Sequence, residues 1–194
     1  MQQHNTKGFT LIEFLVAVAI VSILASITII ALNPVEKFRQ ARDSQRIADM
    51  VLLANSLEFY VAAADNPDMN GPSSSLCQDD YWATSNQATV PMFLNTSGAL
   101  NGAHGTDIDG TGWVPVAFDQ LTAGEPITIL PIDPANNATY HYQYQCNNTA
   151  NTFELNARLE STRFSSGGSD DLESTDGGDV SDVYERGNEP SLDL

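Results

Sequence analysis

Residues Phe9 to Leu32 form a 24-residue apolar run, FTLIEFLVAVAIVSILASITIIAL, interrupted by one charge, Glu13. As a helix the run is about 36 Å long, enough to cross a hydrocarbon core of about 30 Å. It is apolar all round and not along one stripe, so it belongs in lipid or at the centre of a bundle. A cleaved secretory signal has a shorter apolar stretch, about 7–15 residues, followed by a small-residue cleavage site. This run is longer, and no A-x-A sequence directly follows Ala31 at the end of the run. Hydropathy alone therefore predicts one membrane span, with an uncleaved signal anchor as its simplest form. Glu13 does not fit that simplest form. A lone carboxylate in lipid costs a few kcal/mol, so it marks function and calls for a partner.

The leader MQQHNTKG is short and polar, and Lys7-Gly8 abuts Phe9 directly. Lys7-Gly8-Phe9-Thr10-Leu11-Ile12-Glu13 resembles the class III signal of type IV pilins and of the pseudopilins of type II secretion. The resemblance implies that a prepilin peptidase cuts between Gly8 and Phe9 and that Phe9 becomes an N-methylated mature N-terminus. It also implies a role for Glu13 in assembly, pairing with the terminal amine of a neighbouring subunit. The new amine would lie beside lipid, and a carboxylate there neutralises it. Implied partners are the peptidase, identical or homologous pilin subunits in a homopolymer, and an inner-membrane assembly platform. The N-terminus-in orientation also comes from the resemblance, because Lys7 on one side competes with a basic band on the other.

That band lies in NPVEKFRQARDSQRIADMVLLANSLEFYVAAAD, where helical periodicity continues. Ile47, Met50, Val51, Ala54, Leu57 and Val61 predict one apolar stripe, with Arg46, Asp49, Asn55 and Glu58 on other faces. Asn33-Pro34 predicts a bend or melted turn, and Asn66-Pro67 ends the helix. Lys37, Arg39, Arg42 and Arg46 alternate with Glu36, Asp43 and Asp49. They read either as a solvated face with i,i+4 pairs or as a band that meets acidic heads of neighbouring subunits.

From Met50 onward the chain holds 21 acidic and 3 basic residues, so this part carries the negative formal charge of −17. Such a balance argues against direct nucleic-acid binding, which needs cations at phosphates. Residues 65–112 read as a long ordered loop, with Trp82, Trp113, Phe93 and Leu94 available to pin it to a core. Tyr140, Tyr142, Tyr144 and Cys146 alternate with polar residues, as do Phe153, Leu155, Ala157 and Leu159. These runs predict an antiparallel hairpin with one buried face, covered by the amphipathic helix. Leu130-Pro131-Ile132-Asp133-Pro134, followed by the tyrosine run, resembles the corresponding segment of major pseudopilins. Its prolines independently predict a tight turn into the strand.

The fold class expected is α+β, a long N-terminal helix packed on a small antiparallel sheet. The organisation is a leader (1–8), an assembly helix (9–32), an amphipathic helix (33–64), a globular head (65–164) and an acidic tail (165–194). Cys77 and Cys146 form no CxxC motif; they read as one disulfide in an oxidising compartment or as two buried thiols. The tail holds nine acidic residues and one arginine. Disorder is one reading. A calcium loop is the other, implied by the resemblance to major pseudopilins, with Asp176, Asp179 and Asp182 as candidate ligands and Gly177-Gly178 at the turn.

His4, His104 and His141 are scattered, and no H-E-x-x-H, G-x-S-x-G or P-loop pattern occurs, so no enzyme is expected and no cofactor is required. The function expected is a structural subunit of a type IV-like filament, foremost a major pseudopilin. A surface pilin for adhesion, motility or DNA uptake is the alternative within the family. A membrane-anchored binding protein that does not polymerise is the alternative outside it. The precursor is expected in the inner, cytoplasmic membrane and the filament in the periplasm or at the cell surface.

Overall fold

The computed structural model describes residues 8–71, 77, 80–88, 91–93, 100, 105–189 and 194. Two compact units divide the chain, Met1–Phe38 and Arg39–Leu194.

The first unit is dominated by helix α1, Leu11–Leu32, in which no residue is buried. Its hydroxyls are satisfied within the helix: Ser22 Oγ donates to Val18 O, Ser26 Oγ to Ser22 O and Thr28 Oγ1 to Leu24 O, at 2.7–2.8 Å. This back-bonding leaves a surface suited to lipid, where an unsatisfied polar group is costly. Among the described residues α1 is part of the one helical stretch long and apolar enough to cross a membrane. The expected interruption falls at Asn33, which adopts a left-handed conformation (φ 40°, ψ 69°). Helix α2, Pro34–Ala63, starts immediately after it. The Asn33 carbonyl accepts from Glu36 N and Lys37 N, and its Oδ1 accepts from Glu36 N at 3.4 Å. Proline at the first helical position lacks only a donor that would be unsatisfied anyway.

In the second unit α2 packs on a four-stranded antiparallel sheet ordered β1-β2-β3-β4. The strands are β1 Trp82–Ala83, β2 Tyr142–Asn147, β3 Thr152–Ala157 and β4 Tyr184–Gly187. The predicted hairpin is β2–β3, with Tyr144 opposite Leu155 and Cys146 opposite Phe153. It is shorter than its alternation suggested, since Tyr140 and Arg158–Glu160 lie outside the strands. The tail contributes β4, an ordered strand where disorder or a loop was expected.

The apolar stripe on α2 also differs from the expectation. Its buried line is Asp43, Arg46, Met50, Leu53, Leu57 and Tyr60, spaced three and four apart, with Ala54 of the expected stripe buried beside Met50 and Leu57. Ile47 and Val61 sit at its margin, and Val51 is only partly covered. The line could not be read from apolar residues alone, because its first two members are charged.

Tyr142, Tyr144, Cys146, Phe153, Leu155 and Ala157 form the apolar sheet face, in one core with Met50, Leu53 and Leu57 of α2. Tyr142 Oη crosses to α2, donating to Asp49 Oδ2 at 2.8 Å. Trp82, Trp113 and Phe93 are buried as expected; Leu94 lies outside the described residues. The opposite face corrects the one-sided expectation. Gln143, Gln145, Glu154, Asn156 and Glu185 are 0–1% exposed. The segment around Met92 covers part of this face: Met92 N donates to Gln143 Oε1 (2.7 Å), and Asn156 Nδ2 donates to Met92 O (3.0 Å).

Candidate assembly and processing site

Gly8 and Phe9 precede α1 in an exposed segment. Phe9 is 75% exposed, and a side-chain carbon at Gly8 would meet nothing within 4 Å. The junction is therefore open to an external peptidase. Lys7 and the rest of the leader, His4 included, lie outside the described residues, as does His104.

Thr10 is the N-cap of α1, and Glu13 completes a capping box with it. Glu13 Oε2 accepts from Thr10 N (2.9 Å) and Thr10 Oγ1 (2.7 Å), while Glu13 N donates to Thr10 Oγ1 (3.3 Å). The carboxylate also complements the positive end of the helix dipole. Its charge thus has a local partner at the helix start, one residue from the proposed new terminus. The Thr-x-x-Glu spacing before an apolar run is the sequence signal for this arrangement, and it was missed.

Two residues of the basic band, Arg42 and Arg46, join an ion cluster, while Lys37 and Arg39 stay exposed. Arg46 is 0% exposed and donates through Nε to Asp133 Oδ2 (2.6 Å) and through Nη2 to Asp133 Oδ1 (3.0 Å). It also donates to Asp43 Oδ1 (2.8 Å) and Glu160 Oε1 (2.6 Å), and its guanidinium lies 5.0 Å from the Tyr140 ring centre. Arg42 donates to both oxygens of Glu160. Burial opposes the Arg46 charge, but Asp133, Glu160 and Asp43 outweigh it and hold the guanidinium above its ordinary value. The Arg42 contact chiefly holds Glu160 below the usual carboxylate range, with Arg46 adding to it. Asp133 Oδ1 further accepts from Ala135 N and Asn136 N at 2.7 and 3.1 Å. The aspartate of Leu130–Pro134 thereby folds its own turn and anchors that turn to α2. Arg42 and Arg46 are committed within the chain, so the proposed band toward neighbouring heads does not include Arg46.

Cys77 and Cys146 form a disulfide, with Cα atoms 4.8 Å apart. It ties the long loop to β2. The candidate calcium ligands are not gathered together. Asp176 accepts from Gly178 N (3.0 Å) and Glu185 N (2.7 Å), and Asp182 pairs with Arg158 at 2.9 Å. Among the described residues no group of three or more His, Cys, Asp or Glu side chains is placed to hold a metal. His141 is buried between Asn137 O (3.0 Å) and Gln143 Nε2 (2.8 Å). Burial lowers its pKa, as befits a neutral structural imidazole.

Fold and site define a pilin-like α+β protein on an exposed apolar helix. Residues 3–29 match the prokaryotic N-terminal methylation motif, the class III signal of type IV pilins and pseudopilins. The chain thus carries the signal for pilin-type processing, and the match spans the leader junction, Glu13 and most of α1. No solved structure matches the chain.

Proposed function

We propose that the chain is a structural subunit of a type IV-like filament, a major pseudopilin of type II protein secretion. Prepilin peptidase cleaves it after Gly8, Phe9 is N-methylated, and the mature subunits assemble through α1. The observation that carries this reading is the coincidence of the methylation motif with a helix whose apolar side chains are all exposed. A helix with no internal burial has two partners available, lipid before assembly and other α1 helices after it. Ala17, Ala19, Ser22, Ala25 and Ser26 supply small surfaces for close helix approach. In this reading the membrane holds the precursor by a single span with its N-terminus cytoplasmic. The chain is no enzyme and requires no cofactor.

The test begins with co-expression of the full chain and a prepilin peptidase, followed by mass spectrometry of the N-terminal peptide. A mature chain starting at Phe9 with one added methyl group is expected. An intact Met1 in peptidase-active membranes would make the protein a signal-anchored binding protein that does not polymerise. Deletion in the native host then separates the two filament types. Loss of protein secretion supports the pseudopilin, whereas loss of surface filaments with secretion intact makes it a surface pilin.

A further inference from the structure

Two Asn-x-Thr triplets flank strand β2, Asn137-Ala138-Thr139 before it and Asn147-Asn148-Thr149 at its end. A related triplet, Asn95-Thr96-Ser97, lies outside the described residues. With x other than proline, such triplets are the acceptor pattern for N-linked glycosylation. Chance also supplies them in a chain rich in Asn and Thr, so local geometry has to separate one from another.

Asn137, Ala138 and Thr139 are all exposed and belong to no helix or strand. Their loop stands on a fixed base. Asn136 Nδ2 donates to Thr84 O at 3.2 Å, Asp133 holds the turn before it, and the buried His141 ring meets Asn137 O at 3.0 Å. Asn137 Oδ1 accepts from Thr139 N (2.9 Å) and Tyr140 N (3.0 Å). Two N–H donors on one atom fix the amide orientation and turn Oδ1 inward. Nδ2 and the Thr139 hydroxyl then have no partner among the described residues. An aspartate would close this turn equally well, and any residue but proline at 139 would supply the N–H. The amide nitrogen and the hydroxyl are surplus to the fold, and they are the groups an N-glycosylation acceptor needs. Asn147 offers less: it is half-buried, ends β2 and is held in register with Thr152. A residue fixed in a ladder is a poor fit for the groove of a modifying enzyme.

The Cys77–Cys146 disulfide is a second, independent observation. It belongs to an oxidising compartment outside the cytoplasm, the side of the membrane on which N-linked transfer takes place. We propose that Asn137 is an N-glycosylation site, modified by a membrane oligosaccharyltransferase that reads the Asn-x-Thr triplet and draws on a lipid-pyrophosphate-linked sugar. In the transfer Nδ2 bonds to the anomeric carbon of the first sugar, and the bond from that carbon to the pyrophosphate oxygen breaks. The lipid pyrophosphate leaves with the electron pair, and one Nδ2 proton passes to a base of the transferase. Asn137 Oδ1 keeps both of its hydrogen bonds, so the product fits the same turn. The site does not depend on filament assembly.

The experiment is peptide mass spectrometry of the full chain purified from membranes of its native host, with fragmentation that keeps the sugar on its residue. A hexose- or hexosamine-bearing Asn137 peptide is expected, with the Asn147 peptide bare. N137D retains the turn's acceptor but lacks the amide nitrogen, and should lose the glycan completely. T139A should lose it as well, whereas T139S should keep it. Formation of the Cys77–Cys146 disulfide in each variant checks that the head has folded. A bare Asn137 in the wild-type protein overturns the proposal. Sugar that persists in N137D, or that sits on Asn147 in its place, overturns it equally. Should N137D fail to fold, the exposed pair T139A and T139S decides in the same way.

Discussion

Helix α1 and the head reverse the usual arrangement in opposite ways. Helix α1 presents Leu11, Phe14, Leu15, Ile20 and Ile23 outward and buries nothing. The head instead buries Arg46, Asp43, Asp133, Glu154 and Glu185. For α1 the hydrophobic driving force is unspent within the chain and remains available to lipid or to other helices. For the head, the buried charge of Arg46, Asp43 and Asp133 is tolerable because that cluster is bonded across distant segments, α2 to Asp133, Glu160 and Ser161. One region is thus built to be completed by its surroundings, and the other is completed by its own chain. A substitution should accordingly act on assembly in α1 and on folding in the head.

The largest expected effect tests the α1 half of that contrast. Glu13→Ala should still be inserted and cleaved, yet yield more than tenfold fewer filaments, scored by electron microscopy against mass spectrometry of the processed N-terminus. Abundant filaments would show that its capping box with Thr10 is its whole role. In the head, Arg46→Met removes the guanidinium that touches Asp43, Asp133 and Glu160 together. Stranding buried carboxylates costs about 3–5 kcal/mol. Chemical denaturation should register that loss while leader cleavage continues. A loss below about 1 kcal/mol would mean that solvent reaches the cluster.

The two regions also differed in how far they could be read from residues alone. Helix α1, its interruption at Asn33 and the β2–β3 hairpin follow from local chemistry: an all-round apolar run, a proline, and two alternating strands. The capping box was equally local, and Thr10 with Glu13 would have disclosed it. The head's charged interior was not legible in this way. Arg46 continues the spacing of Met50, Leu53 and Leu57, but a charged residue is assigned to solvent until its partners are known. Those partners, Asp133 and Glu160, lie 87 and 114 positions away. Glu154 and Asn156 alternate with Phe153 and Leu155 just as a solvent face would. Among the described residues, the segments around Met92 and Gly178 and the terminal Leu194 cover that face and convert it into an interior. Strand β4 was hidden for a related reason, since Tyr184 and Val183 are too few to stand out in an acidic tail.

The disulfide offers a finer test of self-completion in the head. Cys77–Cys146 closes a separation of 69 residues, which in the chain-entropy model stabilises the fold by about 4 kcal/mol, with smaller values common in practice. Cys77→Ser with Cys146→Ser should lower the unfolding midpoint by several degrees, and reductant should reproduce the effect in wild type without adding to it in the variant. Processing at Gly8 should be unchanged, because that unit contains neither cysteine. A processing defect would link the two regions more closely than their separate construction suggests.

The smallest effect is a pH dependence assigned to Glu160. Arg42 first, then Arg46, hold its folded pKa below the ordinary value of 4.5. A carboxylate depressed in the folded state contributes its full stabilisation above the unfolded value and loses it as pH falls through the folded one. Asp49 and Glu173 oppose this trend, since burial raises both and their ionised forms burden the folded state at neutral pH. Descending from pH 7, relief of those two groups should precede the loss from Glu160. Comparing wild type with Glu160→Gln isolates the latter. Because Arg42 is 38% exposed and screened by solvent, the difference should be about 1–2 kcal/mol at pH 7. It should vanish once Glu160 is protonated in both folded and unfolded chains. A difference that persists to the lowest pH would assign Glu160 to shape and hydrogen bonding, leaving Asp133 and Asp43 as the charges that hold Arg46.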